Sequence, residues 1–178
     1  MTIVFRGSFL LLLPFLFFGG GALTAGVATE AAKRLAVEPT SLLEAAAKGD
    51  DDAIFRIVSA GQDPGSLAVL QRRVFQWQRG DATSPLLVAI AKGDFDNVTF
   101  MLKHTQHLAD PPNDQALCVA ARFGRFDIAR FLMQKGVPAV PWNGCVGSKP
   151  EDLALQNGFG SLAGVLREYR MERQLQGN

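Results

Sequence analysis

Four segments of this chain repeat one another, and that repetition limits the fold more than any other property of the sequence. They read SLLEAAAKGD (41–50), SPLLVAIAKGD (84–94), ALCVAARFGR (116–125) and PEDLALQNGF (150–159). Each carries an alanine pair or its near equivalent and then a glycine. Those glycines, Gly49, Gly93, Gly124 and Gly158, stand 44, 31 and 34 residues apart. Self-similarity at a period of roughly 33 residues marks a stacked array, in which no unit can bury its apolar face without its neighbour. Such arrays present long surfaces to partners and seldom enclose a catalytic pocket.

Each copy reads as two short helices. In the third, Leu117, Val119, Ala120 and Ala121 form the apolar face of a first helix, and Gly124 ends it. Glycine suits that place because it takes positive φ at little cost. Phe126, Ile128, Phe131 and Leu132 then line a second helix that stops at Gly136. The first copy follows the same order from Leu42 to Gly61, with Ile54, Ile57 and Val58 on its second helix. Val98, Phe100, Met101 and Leu102 play that part in the second copy, where Thr105 stands at the stop. The fourth has Leu153, Ala154 and Leu155, then Leu162, Val165 and Leu166. Small residues on the first helices predict close approach between neighbouring units.

Ser84-Pro85-Leu86 with Val88-Ala89-Ile90-Ala91-Lys92-Gly93 resembles the T-P-L-H-x-A-A-x-x-G motif of ankyrin repeats. The run from Gly124 through Leu132 to Gly136 resembles that family's second helix and its glycine stop, and Lys149 to Ala154 resembles the degenerate form of a last repeat. The resemblance covers about residues 38–170. It implies an all-α helix–turn–helix solenoid of about four repeats, near 38–62, 82–106, 113–137 and 147–170, with terminal repeats that shield the core from water. The motif's histidine is replaced by Leu43, Leu87, Cys118 and Asp152, and its proline by Ser41 in the first copy.

Between the first two glycines lie about eleven residues more than the family period. The surplus falls in the insertion 63–83, DPGSLAVLQRRVFQWQRGDAT. Leu67, Leu70, Val74 and Trp77 recur there at three- and four-residue spacing, which predicts a short extra helix. An enlarged loop covering the first interface is the other reading.

Residues 1–28 differ from all that follows. Arg6 precedes the apolar run Phe9–Phe18 and the small-residue stretch Gly19–Ala28, the layout of a signal peptide. The uncharged run 7–29 is also long enough for an uncleaved anchor, against which stand Pro14 and three consecutive glycines. Either reading puts the repeats outside the cytosol, with the bacterial periplasm as the expected compartment, 29–37 as a linker and 171–178 as a C-terminal tail. In an oxidising compartment Cys118 and Cys145 can bond, and the sequence leaves a disulfide and two separate thiols equally open.

Charge and chemistry narrow the function. Arg6 is the single charge before Ala28, so 17 basic residues face 17 acidic ones beyond it. That balance argues against nucleic acid, whose binders carry an excess of Lys and Arg. His104 and His107 form H-x-x-H with Asp110 and Asp114 nearby, but no third ligand stands at a motif spacing. Cys118 sits on a first helix without an activating base in view. No cofactor, metal or catalytic set is expected, and Asp50-Asp51-Asp52 reads as the start of a helix, where carboxylates favour the positive end of the dipole.

In the resembled family, partners lie along hairpin tips and the outer face of the first helices. Carried onto this chain, the helix positions are Lys48, Lys92, Arg122, Phe123, Gln156 and Asn157, and the tip positions are Asp81, Thr83, Asp114 and Ser148. Phe123 beside Arg122 leads this set, because aromatic residues and arginine are enriched at the centres of interfaces. Trp77 with Arg79 in the insertion and Trp142 in the last hairpin follow. The expected protein is thus an exported, non-catalytic binder of another protein, monomeric by itself, acting as a helper, an immunity-type inhibitor or an adaptor. The alternatives are a metal-dependent hydrolase using His104, His107 and Asp110, and a membrane-anchored structural adaptor.

Overall fold

The computed structural model describes residues 41–106, 108–139, 145 and 148–176. The segment before Ser41, with its signal-or-anchor alternatives and linker, lies outside the described residues, as do His107 and Trp142. Four helix pairs follow one another: α1 (Leu42–Lys48) with α2 (Asp51–Ser59), α3 (Pro85–Lys92) with α4 (Phe95–His104), α5 (Ala116–Arg122) with α6 (Phe126–Gln134), and α7 (Pro150–Gln156) with α8 (Gly160–Leu175). Successive first helices pack in a column, α1 on α3, α3 on α5 and α5 on α7, while α2 packs on α4 and α4 on α6.

Local chemistry starts and stops these helices. Ser41 and Ser84 cap α1 and α3, each hydroxyl accepting from the backbone N–H three residues on, of Glu44 at 3.2 Å and of Leu87 at 3.3 Å. Asp50 and Asp94 do the same for α2 and α4, accepting from the N–H of Ala53 at 3.0 Å and of Asn97 at 3.3 Å. Pro85 fits the first turn of α3, where its missing N–H costs nothing. Helix α4 ends at His104 with Thr105 extended beyond it, where the sequence places the stop.

The column of first helices is lined by small side chains. Ala45 and Ala46 on α1, Ala89 and Ala91 on α3, Ala120 and Ala121 on α5 and Ala154 on α7 are all buried. The glycines after the helices let the next repeat come closer still. Gly93 has φ +86 and Gly124 has φ +64. A methyl group on Gly93 would stand 2.9 Å from the Arg125 guanidinium, and one on Gly124 would stand 2.5 Å from the Phe159 ring. Gly49 is likewise closed off by Lys92. The side chains filling these spaces are functional parts of the stack. Lys92 Nζ donates to Lys48 O at 2.6 Å, and Arg125 Nε and Nη2 donate to Ala91 O at 3.0 and 2.7 Å. A cation from the second repeat and one from the third thus meet the negative end of the preceding first helix, while the fourth repeat places the Phe159 ring there.

The insertion is a hairpin, which corrects the expected extra helix. Strands β1 (Ala68–Val69) and β2 (Ala82–Thr83) pair antiparallel, Ala68 opposite Thr83 and Val69 opposite Ala82. Farther out, Val74 and Trp77 exchange backbone hydrogen bonds at 3.0 and 2.9 Å around a tight turn. Gly80 and the Asp81 carboxylate, which accepts from the Gln78 N–H at 2.7 Å, shape the return strand. These cross-strand partners satisfy backbone groups that a short isolated helix would leave open.

A buried polar chain joins three repeats at the base of this hairpin. Asn113 Nδ2 donates to Gly65 O at 3.0 Å, and Ser84 Oγ donates to Asn113 Oδ1 at 2.8 Å. Ser84 and Asn113 are both buried. The chain thereby fixes the helix entries in a protein whose repeats have lost the motif's histidine. At the other end α8 runs to Leu175, past the point where the sequence suggests a tail. Tyr169 Oη donates to Val137 O at 2.8 Å, and Arg170 Nε meets the buried Glu151 Oε1 at 2.6 Å. Burial pushes the Tyr169 hydroxyl above its ordinary pKa.

Gly124→Ala is expected to lower stability by about 2 kcal/mol or more, combining left-handed strain with collision against Phe159. Gly136→Ala, at φ +76 with open space around the position, should cost only about 1 kcal/mol. Urea unfolding of the two variants measures the difference, and equal losses would remove the inter-repeat contact from the account.

Candidate functional site

The hairpin arches over the first-helix face. At its turn Phe75 takes φ +51, the one non-glycine residue with positive φ among those described. An aromatic residue in that region is strained by about 1–2 kcal/mol and needs outside support. Support comes from Phe123 at the end of α5, whose ring lies edge-on at 5.6 Å from the Phe75 ring. The contact reaches from the insertion after the first repeat to the third repeat, spanning the second.

A cavity of about 240 Å³ lies beneath this arch. Gln76 and Trp77 of the hairpin line one side, and Leu87 of α3 with Val119 and Arg122 of α5 line another. Thr83, at the foot of β2, completes the group used below. Pockets for whole small molecules run from roughly 300 to 1,000 Å³, so this one suits a side chain of a partner better than a metabolite.

Three polar groups in the wall lack partners among the described residues. Thr83 is 1 % exposed, yet its Oγ1 makes no hydrogen bond, and Gln76 Oε1 is buried without one. Arg122, a half-buried residue, forms no hydrogen bond or ion pair with any described residue. Leaving a buried polar group unsatisfied costs about 1–3 kcal/mol. Their gathering in one cavity points to a ligand.

The Cys118 and Cys145 sulfurs are bonded, with their Cα atoms 5.5 Å apart. Both cysteines line the same cavity. The bond ties α5 to the segment that leads into the fourth repeat and so fixes one wall.

The other residues singled out in the sequence are more scattered. Phe123 is half-buried against Phe75 and therefore has a packing role. Asp114 is 1 % exposed, in a 3₁₀ turn (Asn113–Gln115) that leads into α5, so its carboxylate is inside rather than at a tip. Lys92 holds the end of α1, and Lys48 forms an exposed pair with Glu44 at 3.0 Å that keeps the Glu44 carboxyl below its ordinary pKa. Arg79 and Asp81 are exposed on the hairpin, and Gln156 and Asn157 are exposed at the end of α7. Ser148 is half-buried near Cys145, its carbonyl accepting from the Cys145 N–H at 2.9 Å. His104 is exposed on α4 with its ring 4.9 Å from that of Phe100. Among the described residues no three His, Cys, Asp or Glu side chains gather as a metal site would require. Gln76 and Phe75 escaped the sequence reading, since neither belongs to the family motif.

A column of helix pairs, each packed on its neighbours, is the architecture of a stacked repeat array. The family model for ankyrin repeats, in three copies, matches residues 42–140, and the chain belongs to this family. No curated protein matches it in sequence. Ankyrin repeats are protein–protein interaction modules, in general without catalysis. The fourth helix pair lies beyond the matched span.

Phe75→Ala removes the support of the arch and should destabilise the protein by about 1 kcal/mol. The amides of Leu70 and Gly80, which hold the hairpin together, should exchange with solvent at least tenfold faster, with α4 and α6 unchanged. Uniform exchange rates in the variant would show that Phe123 does not hold the hairpin.

Proposed function

We propose that this protein is exported and holds another protein on its first-helix face, without turnover. The observation that carries the reading is the cavity under the hairpin, lined by the half-buried Trp77 and by Arg122, which has no partner among the described residues. Tryptophan and arginine dominate the energetics of protein interfaces. A rigid array with a fixed arch binds by complementarity of preformed surfaces, so little ordering cost opposes association.

Export is supported by two independent features. Arg6, the apolar run Phe9–Phe18 and the small residues up to Ala28 have the organisation of a cleaved signal. A disulfide in a small domain fits an oxidising compartment, for which the bacterial periplasm is our assignment. A helper of an exported enzyme, an inhibitor of a toxin and an assembly adaptor all use such a surface. They differ in strength, since a toxin inhibitor binds at nanomolar affinity or better.

Mass spectrometry of the native protein should find a chain that begins at or near Thr29, and a mass that includes Met1 would overturn cleavage. Affinity capture from the cell envelope should bring down a specific protein. Trp77→Ala combined with Arg122→Ala should weaken that complex by about 2 kcal/mol or more, read by calorimetry. Unchanged affinity would move the interface off this face.

A further inference from the structure

The chemistry of the cavity specifies what enters it. Arg122 offers a planar cation whose donors are unused by the described residues, and Thr83, whose buried Oγ1 has no partner among them, lines the same cavity as the apolar Leu87 and Val119 and the Trp77 ring. One cation with one hydroxyl matches a single negative charge; a phosphate dianion would call for more donors. Gln76 Oε1 is an acceptor and needs a donor from the ligand. The apolar walls suit methylene groups between the charge and the backbone. The insertion adds Arg72, Arg73 and Arg79, all exposed, while its two aspartates are engaged in its own turns: Asp63 Oδ1 accepts from the Gly65 N–H at 2.8 Å and Asp81 Oδ2 from the Gln78 N–H. The insertion thus presents three exposed arginines against two aspartates, a net charge of +1.

We propose that the cavity takes a glutamate side chain from an extended, acidic segment of the partner protein. The carboxylate accepts from Arg122 and from the Thr83 hydroxyl, and a backbone N–H of the segment donates to Gln76 Oε1. This deepens the protein-binding reading above and rests on it.

NMR titration of the isotope-labelled purified protein with N-acetyl-glutamate N-methylamide tests the assignment. Shifts are expected at the Trp77 indole and the amides of Thr83, Val119 and Arg122, with binding at least tenfold weaker for the glutamine analogue. Arg122→Gln should abolish the shifts. Thr83→Val should weaken binding several-fold while leaving the unfolding midpoint unchanged or higher, because it removes a buried hydroxyl that has no partner among the described residues. A purely structural Thr83 would lose stability instead.

Equal binding of the glutamine analogue overturns the proposal, and so does the absence of binding by any probe. Shifts spread over the basic surface and retained in Arg122→Gln overturn it as well. Tighter binding of N-acetyl-alanine, whose carboxylate is a chain end, would replace the side chain by a C-terminus and overturn it too. If Arg122→Gln captures the native partner at full strength, this assignment fails while protein binding stands. If the protein binds the glutamate probe but captures no protein, the carboxylate site stands, while its assignment to a partner's segment falls with the broader reading.

Discussion

The distance of approach between neighbouring first helices governs this molecule. Alanines at 45, 46, 89, 91, 120, 121 and 154 remove side-chain bulk from the column, and Gly49, Gly93 and Gly124 remove it from the turns. Lys92, Arg125 and Phe159 of the following repeats occupy the space so released. Two of these three also each satisfy one carbonyl group at the end of the helix before them, an acceptor that a helix terminus otherwise presents to water. Everything on the first-helix face is registered by this spacing. The Ser84–Asn113–Gly65 chain can close only because the second and third repeats stand that near to one another.

The arch adds a second constraint. A two-residue ladder between β1 and β2 is too short to be stable alone, and the turn carries the strain of Phe75. The hairpin persists because its tip rests on Phe123, two repeats further along. The two parts differ accordingly: the helix columns bury apolar surface, whereas the arch encloses Thr83 Oγ1 and Gln76 Oε1 without a partner among the described residues. Costs of that sort persist at sites where a partner relieves them.

The repeats were legible in the sequence because their signals are local. Glycine at each turn, serine or aspartate at each cap, and Pro85 after Ser84 act within a few residues of where they stand. The insertion was misread because Leu67, Leu70, Val74 and Trp77 fit a helical spacing equally well, while the hairpin depends on Gly80, on the Asp81–Gln78 turn and on a ring from another repeat. Phe123 and Asp114 show the same limit. Motif position puts Phe123 on the outer helix face and Asp114 at a hairpin tip, but Phe75 packs against the first and the second is buried in a 3₁₀ turn. The cavity itself was half legible: Trp77 and Arg122 stood out as residue types and Thr83 by its motif position, but nothing local brings them together.

The disulfide has a mechanical consequence. A linear array under load peels from its ends, one unit at a time, because each unit is held only by its neighbour. The link between Cys118 and Cys145 spans 27 residues and bypasses α6. Tension applied at the C-terminus can strip α8 and α7, but then reaches a covalent stop before it can extend the third repeat. A chain grasped from that side would yield its last layer and keep the arch intact.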